Sequence, residues 1–251
     1  MKKENLIQYI YGIADNTLIL GQRLSELCGH GPNLETDIAC TNIALDLLGQ
    51  TRSYYQYAAQ LSGDDTTEDD IAFLRTERQY KNVLLVEQPN THFGYVIIRQ
   101  FLFDAFHLLL LKELQKSNDE VLAAIAVKGI KEVSYHQRFS SDWVKRLGDG
   151  TAVSHQKIQE AVNDLWKFTN ELFHQTLDDQ LAVDVGVGID LMALKENYLA
   201  TVKQVLEEAT LTIPDLKWFR KGGKEGIHSE HMGYLLSDLQ YMQRTYPNMD
   251  W

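Results

Sequence analysis

The stretch GIKEVSYHQR (residues 129–138) lies in the middle of a helical run that the sequence predicts over about residues 119–147. It carries one carboxylate, Glu132, and one imidazole, His136, four residues apart, so both lie on one helix face. Helical bundles that hold two metal ions use Glu-x-x-His instead, with a spacing of three. The residue three before His136 is Val133. The stretch therefore predicts a bundle helix that carries a metal site, a former metal site or an ordinary core.

The composition favours long helices and argues against several functions. The 251 residues include only four prolines, the residue that interrupts helices most strongly. A net charge of −11 argues against nucleic acid as a partner, because phosphates require a basic face. Cys28 and Cys40 fit no zinc or redox spacing and indicate a reducing compartment. The first residues lack the apolar core of a signal peptide, so we expect a cytoplasmic protein.

Apolar residues at helical spacing predict a series of helices. The segment 93–114 is the most apolar, but Arg99, Asp104 and His107 interrupt it, so we expect a buried helix and not a membrane span. Short turns between helices favour an all-α antiparallel bundle with additional flanking helices, in a single domain over residues 1–251. The other expected helices are 6–28, 33–61, a solvated helix 68–87, 154–177 with Ser154 as N-cap, 190–209 and 229–246.

Two Glu-x-x-His pairs are interpreted as not forming a metal site. Glu171 and His174 lie on the polar face of the predicted helix 154–177, so we expect them to point to water, whereas a metal site in a bundle points inward. Glu225 and His228 follow two glycines and enclose a third. We therefore expect a loop and a helix start, where Glu225 complements the helix dipole.

Asp104 and His107 are harder to dismiss, because their helix is apolar all round. A buried charge needs a partner. The two side chains could form half of a metal site or satisfy each other, or Asp104 could pair with Arg99 or Lys131. A structural polar pair is favoured, because the usual metal-binding carboxylate at this spacing is Glu.

The second helix adds a polar stripe without long cations, which we expect to face the interior. A di-iron centre in such a bundle needs a Glu from each of two helices and Glu-x-x-His from each of two others. The first helix has no acid between Asp15 and Glu26. The sequence thus predicts a buried polar cluster with an incomplete ligand set. The stripe is Asn42, Asp46, Gln50 and Ser53, and the cluster is Asp46, Asp104, His107, Glu132 and His136.

Six segments spread along the chain form a specific pattern: ADNTLIL (14–20), NIALDLLGQ (42–50), LLVEQPN (84–90), IKEVSYH (130–136), GIHSEHMG (226–233) and DLQYMQR (238–244), followed by Pro247 and Trp251. Together they resemble the C-subunit family of ring-1,2-phenylacetyl-CoA epoxidases. The resemblance implies a ferritin-like fold and a role in a bacterial multicomponent monooxygenase for aerobic phenylacetate breakdown.

The resemblance also implies how the ligand set was lost. The catalytic A subunit, a relative of similar fold, reads KEESFH where this chain reads KEVSYH at 131–136, and its DEAGH falls on residues 46–50. On that register the ligand positions carry Leu47, Gln50 and Val133, and only His136 remains. Leu and Val cannot coordinate iron, which needs hard oxygen ligands here. We expect no catalytic residue and no metal in this chain, with the di-iron centre in the A subunit.

The expected function is a non-catalytic subunit that binds and stabilises the A subunit, with other subunits or a second copy as further partners and no membrane. Together the subunits would insert one oxygen atom of O₂ into the aromatic ring of phenylacetyl-CoA, with electrons from a separate reductase. The end of the chain, Pro247 to Trp251, is either a contact for the partner or a tail folded on its own domain.

Two alternatives stay open. The chain could be a metal-dependent oxygenase with an unusual site made of the buried polar cluster. It could also be a binding module in which Arg220, Lys221 and Lys224 hold the phosphates of a CoA ester. That loop lacks the P-loop pattern, so solvated surface charges are the competing interpretation.

Overall fold

The structure, a computed structural model, describes residues 1–247 and residue 249. The described residues form ten α-helices and no β-strand, so the predicted all-α class is confirmed. Trp251 lies outside the described residues, and its predicted contact stays a prediction. The helices are α1 (Lys3–Ser25), α2 (Leu34–Ser62), α3 (Glu68–Phe73), α4 (Phe93–Leu114), α5 (Glu120–Gly148), α6 (Ala152–Leu165), α7 (Leu177–Asp184), α8 (Lys195–Glu208), α9 (Glu230–Leu239) and α10 (Tyr241–Thr245).

The core is built from two antiparallel helix pairs, α1 with α2 and α4 with α5. The hydroxyls of Thr17 and Thr51 lie 2.7 Å apart between α1 and α2. Ser140 of α5 donates a hydrogen bond to Asp104 of α4 at 2.8 Å. Helix α2 also lies against α5. The four helices form the predicted ferritin-like bundle, and α6 to α10 pack around it.

Helix α4 has the bounds that the sequence predicts, and it is the central helix of the bundle. It is long and apolar enough to cross a membrane, but 89% of its most apolar window is buried by the rest of the protein. Its Arg99 is fully buried and donates hydrogen bonds to the carbonyl of Gln88 and to Asn90 Oδ1. The interpretation of α4 as a buried helix is therefore confirmed.

The prediction of a solvated helix over residues 68–87 is wrong. Helix α3 ends at Phe73, and only a 3₁₀ turn (Glu77–Gln79) follows. Arg75 does not face water. Its guanidinium donates to both oxygens of Asp15, at 3.0 and 2.6 Å, and lies 4.2 Å from the ring centroid of Tyr80. The ion pair with Asp15 of α1 thus holds the segment after α3 against the core, where the chain does not continue as a helix.

Residues 80–92 have no regular structure although most of the segment is buried. Buried backbone groups need hydrogen-bond partners, and here side chains of other elements supply them. Asn16 accepts from the Val83 N–H at 2.8 Å, and Glu171 accepts from the Leu84 N–H at 2.6 Å. Arg23 donates to the carbonyl of Glu87 at 2.8 Å.

The later helices are shorter than the sequence predicts. Helix α6 is capped by Thr151, whose hydroxyl accepts from the Ser154 N–H at 3.1 Å, so Ser154 is not the N-cap. A 3₁₀ helix, Trp166–Phe173, replaces the expected end of that helix. Helix α7 was not predicted, and the expected last helix is divided into α9 and α10.

Candidate functional site

Two hydrogen bonds join α2 to α5 at the predicted polar cluster. Asp46 Oδ2 lies 2.9 Å from His136 Nε2, and Gln50 Nε2 donates to Glu132 Oε2 at 2.8 Å. The His136 ring is fully buried, whereas the Asp46 side chain is 37% exposed. Burial lowers the pKa of His136, and the neighbouring Asp46 carboxylate only partly opposes this shift. The arrangement therefore favours a neutral imidazole that donates to a carboxylate at the protein surface.

Asp104 does not pair with any of the residues that the sequence suggested. Its carboxyl oxygens accept from Gln100 Nε2 at 2.6 Å and from Ser140 Oγ at 2.8 Å. Arg99 bonds elsewhere and Lys131 is exposed, so both proposed ion pairs are wrong. Burial raises the pKa of Asp104 to about 8, against the smaller effect of its two hydrogen bonds. The side chain is therefore mostly protonated at neutral pH.

His107 is also fully enclosed, one turn after Asp104. Neither ring nitrogen has a hydrogen-bond partner within the part of the chain that the structure describes. The ring packs on Phe103, with centroids 5.1 Å apart. Burial lowers the pKa of His107 to about 3, and the nearby His136 adds to the shift. His107 is thus a neutral ring in an apolar core, and it does not satisfy Asp104.

The polar stripe of α2 faces the interior only in part. Gln50 is buried, Asp46 and Ser53 are half-buried, and Asn42 is exposed. The expectation that the whole stripe faces inward is therefore wrong. Its members lie obliquely across the boundary between core and surface, because spacings of three and four drift around the helix axis.

The side chains in this region do not fit a dinuclear iron centre. Each of the available donors bonds to a neighbouring side chain or packs against carbon, as described above. No group of three or more His, Cys, Asp or Glu residues within residues 1–247 is arranged to hold a metal ion. Iron in such a centre needs several carboxylates that converge on one point. The buried polar cluster is instead a set of separate hydrogen-bonded pairs and one isolated ring.

The expectation that Glu171 points to water is wrong. Glu171 is buried and accepts three backbone hydrogen bonds, from Leu84 at 2.6 Å, Gly222 at 2.6 Å and Gly223 at 2.7 Å. Burial raises the pKa of Glu171, and the three N–H groups oppose the shift. This carboxylate joins residues 80–92 to the glycine-containing loop 220–226. Its role is structural, which the interpretation as a solvated face did not include.

The second Glu-x-x-His pair is also divided between two environments. Glu225 lies on the surface, 2.9 Å from His174 Nε2, and does not begin a helix, since α9 starts five residues later. The ring of His228 is buried, with Nδ1 3.6 Å from Glu87 Oε2. Burial is the largest effect and lowers the pKa of His228, but Glu87, the Tyr80 carbonyl and Glu77 together outweigh it, so the pKa of His228 is raised. The Glu87–His228 pair was missed, because its members are far apart in the sequence.

Lys224 cannot hold a phosphate. Its ammonium group is buried and donates to Asp179 Oδ2 at 2.6 Å and to the carbonyl of His174 at 2.6 Å. Removing it from these partners would leave Asp179 unpaired in a buried position, which is costly. Arg220 and Lys221, in contrast, are exposed. Of the three residues predicted to contact CoA phosphates, only Arg220 and Lys221 remain available.

Comparisons with known proteins give the family of this chain. All 251 residues match the family described as phenylacetic acid catabolic protein. The chain belongs to this family. It is 48% identical over 246 residues to the C subunit of the 1,2-phenylacetyl-CoA epoxidase of Escherichia coli (strain K12), an alignment that covers 98% of this chain and 99% of that protein. The family resemblance drawn from the six sequence segments is thereby confirmed.

In this member of the phenylacetic acid catabolic family, the four positions that the resemblance implies as former ligand positions are all buried. Leu47 and Val133 are fully buried among apolar side chains, and Gln50 and His136 bond to Glu132 and Asp46. Gly129 leaves room for this arrangement, since a Cβ there would lie 3.0 Å from Leu111 and 3.4 Å from Gln50. Aliphatic groups thus fill the space between α2 and α5 that a ligand set would need.

Proposed function

We propose that this chain is a non-catalytic subunit of a phenylacetyl-CoA 1,2-epoxidase, and that it binds and stabilises the iron-containing catalytic subunit. The observation that carries the proposal is the pairing of Gln50 with Glu132 and of Asp46 with His136. These side chains are bonded to one another, and Leu47 and Val133 stand at the Glu positions of the two Glu-x-x-His motifs in the register that the resemblance implies. The bundle is kept while its metal chemistry is absent. The similarity to the C subunit of the E. coli epoxidase supports the assignment to this enzyme.

An exposed apolar stripe on α2 supports a role in assembly. Leu34, Ile38 and Leu45 are exposed by 72%, 51% and 61%. At 3.6 residues per turn they lie within about 40° of one another around the helix axis. A surface helix normally turns its polar face to water, and apolar residues in a row on that face are typical of protein–protein contacts. We assign this stripe to the contact with the catalytic subunit.

Co-expression with and without the catalytic subunit tests the proposal. We expect the two chains to elute together in size exclusion, with epoxidase activity only when both are present. The double substitution Ile38→Glu/Leu45→Glu should abolish co-elution, because each charge would have to be desolvated in the contact. Leu177→Glu, at an exposed position in the first turn of α7, is the matched control and should leave the complex intact. Epoxidase activity of the chain alone would overturn the proposal.

A further inference from the structure

A surface pocket of about 400 Å³ lies between the 3₁₀ helix Trp166–Phe173, the start of α8 and the loop around residue 220. It concentrates positive charge in a chain whose net charge is −11. Its lining combines three cations with apolar side chains, two of which are exposed. The cations are Lys195, Arg220 and Lys221, and the apolar side chains are Phe173, Met192 and Phe219.

Two of the cations lie beside aromatic rings, within the outer range of a cation–π contact. Lys195 Nζ lies 5.8 Å from the ring centroid of Phe173, and the Arg220 guanidinium lies 5.6 Å from that of Trp218. Neither side chain forms an ion pair with a described residue. The Arg220 backbone is fixed by a hydrogen bond from its N–H to the carbonyl of Lys167 at 2.8 Å. Both charges are therefore positioned and free to meet an anion.

The carboxylates near the pocket are already engaged. Glu171 belongs to the lining, but its oxygens accept the backbone N–H groups of Leu84, Gly222 and Gly223. Glu225 bonds to His174, whose ring also lines the pocket, and it lies close enough to Lys221 to offset part of that charge. Three cations thus face one carboxylate within the lining, and the pocket keeps an excess of positive charge.

We propose that this pocket binds the phosphate-bearing adenosine end of coenzyme A. Lys and Arg recognise phosphate groups, and exposed apolar side chains such as Phe219 and Met192 offer a surface on which a purine can stack. The volume is at the small end of the range for ligand pockets, so it suits a nucleotide fragment and not a whole acyl-CoA. The acyl group would remain outside. The choice of coenzyme A rests on the proposed function, whereas the anion site rests on the geometry.

Calorimetric titration of the isolated full-length chain with adenosine 3′,5′-bisphosphate tests the proposal. We expect binding that weakens as salt is added, because the contacts are largely electrostatic. Pantetheine, which has no phosphate, should give no heat. Inorganic phosphate should bind roughly ten-fold more weakly, because it cannot contact the apolar side chains. Lys195→Gln should raise the Kd of the bisphosphate roughly ten-fold, the loss of one charge-assisted hydrogen bond.

Lys203→Gln is the matched control, since Lys203 is exposed on the same helix and pairs only with Glu207. It should leave the Kd unchanged. Absence of binding by the bisphosphate, or equal affinity for inorganic phosphate, would overturn the proposal. An equal loss of affinity in the Lys195 and Lys203 variants would do the same. None of these outcomes affects co-elution with the catalytic subunit, so the two proposals fail separately.

Discussion

The Gln50 side chain of α2 donates a hydrogen bond to the Glu132 carboxylate of α5 at 2.8 Å. One turn earlier on α2, the Asp46 carboxylate accepts a hydrogen bond from His136 Nε2 of α5 at 2.9 Å. In the register implied by the family resemblance, Gln50 and His136 occupy iron-ligand positions. The polar groups that remain at this place are thus used to hold two helices together.

Restoring a carboxylate at a single ligand position should destabilise the protein. Leu47→Glu would place an unpaired charge in a fully buried site, at a cost of about 3 kcal/mol or more in the free energy of unfolding. Leu45→Glu, two residues away on the exposed face, should change it by less than about 0.5 kcal/mol. Urea denaturation of both variants measures the difference. Equal effects would show that Leu47 is not enclosed as described.

Asp104→Asn should change how stability depends on pH. Because burial raises the pKa of Asp104 to about 8, the folded protein keeps a proton that the unfolded chain releases near pH 4. The wild type therefore loses stability as the pH rises from about 4 to 8, whereas the Asn variant lacks this loss. The free energy of unfolding of the Asn variant minus that of the wild type should grow by on the order of 1 kcal/mol per pH unit between pH 5 and 7. Chemical denaturation at several pH values measures it, and a constant difference would contradict the assignment.

His107→Phe should act on the opposite side of the pH scale. The pKa of His107 is lowered to about 3, so below about pH 6.5 the unfolded chain takes up a proton that the folded protein excludes. Because only the unfolded chain binds this proton, the wild type loses stability as the pH falls. A Phe ring keeps the packing on Phe103 and removes the loss, so the variant should resist acid better. His30→Phe, at an exposed position, is the control and should not change the resistance to acid. Increased acid resistance in both variants would argue against a specific effect of burial.

Glu171→Gln should weaken the contact between residues 80–92 and loop 220–226. A Gln side chain has one acceptor oxygen and one NH₂ group, so it cannot accept all three backbone hydrogen bonds that Glu171 accepts. We expect a loss of about 2 kcal/mol in the free energy of unfolding. Glu160→Gln, where the carboxylate only accepts from Gln156 on the helix surface, is the control and should cost less than about 0.5 kcal/mol. Glu171 Oε1 accepts from Gly222 and Gly223, and Oε2 accepts from Leu84. Hydrogen exchange should therefore rise only in the first variant, either at Leu84 or at both glycines, depending on which oxygen the amide NH₂ replaces.

The central helices could be predicted from the sequence because they depend on local pattern. Helices α4 and α5 are long, strongly periodic and bounded by turn residues, and their bounds agree with the structure to within one or two residues. The helix expected over 68–87 failed for a non-local reason. Arg75 looks solvated in the sequence, but its partner Asp15 lies 60 residues away on α1.

Glu171 shows the same limit for the candidate site. Hydrophobic periodicity identifies the apolar face of a helix, but it does not reveal that a loop 51 residues later covers the polar face. The hydrogen-bond partners of Glu171 are backbone N–H groups, which leave no trace in residue type. The absence of an acid at positions 47 and 133 is, in contrast, directly legible in the sequence.

Iron binding by the isolated chain decides whether this bundle has lost its metal site. The chain is loaded anaerobically with excess ferrous iron, passed over a desalting column and analysed for iron and protein, with the catalytic subunit treated in parallel. We expect well under one iron per chain in this protein and about two in the catalytic subunit, the content of a dinuclear centre. Two irons retained per chain by this protein alone would contradict this expectation.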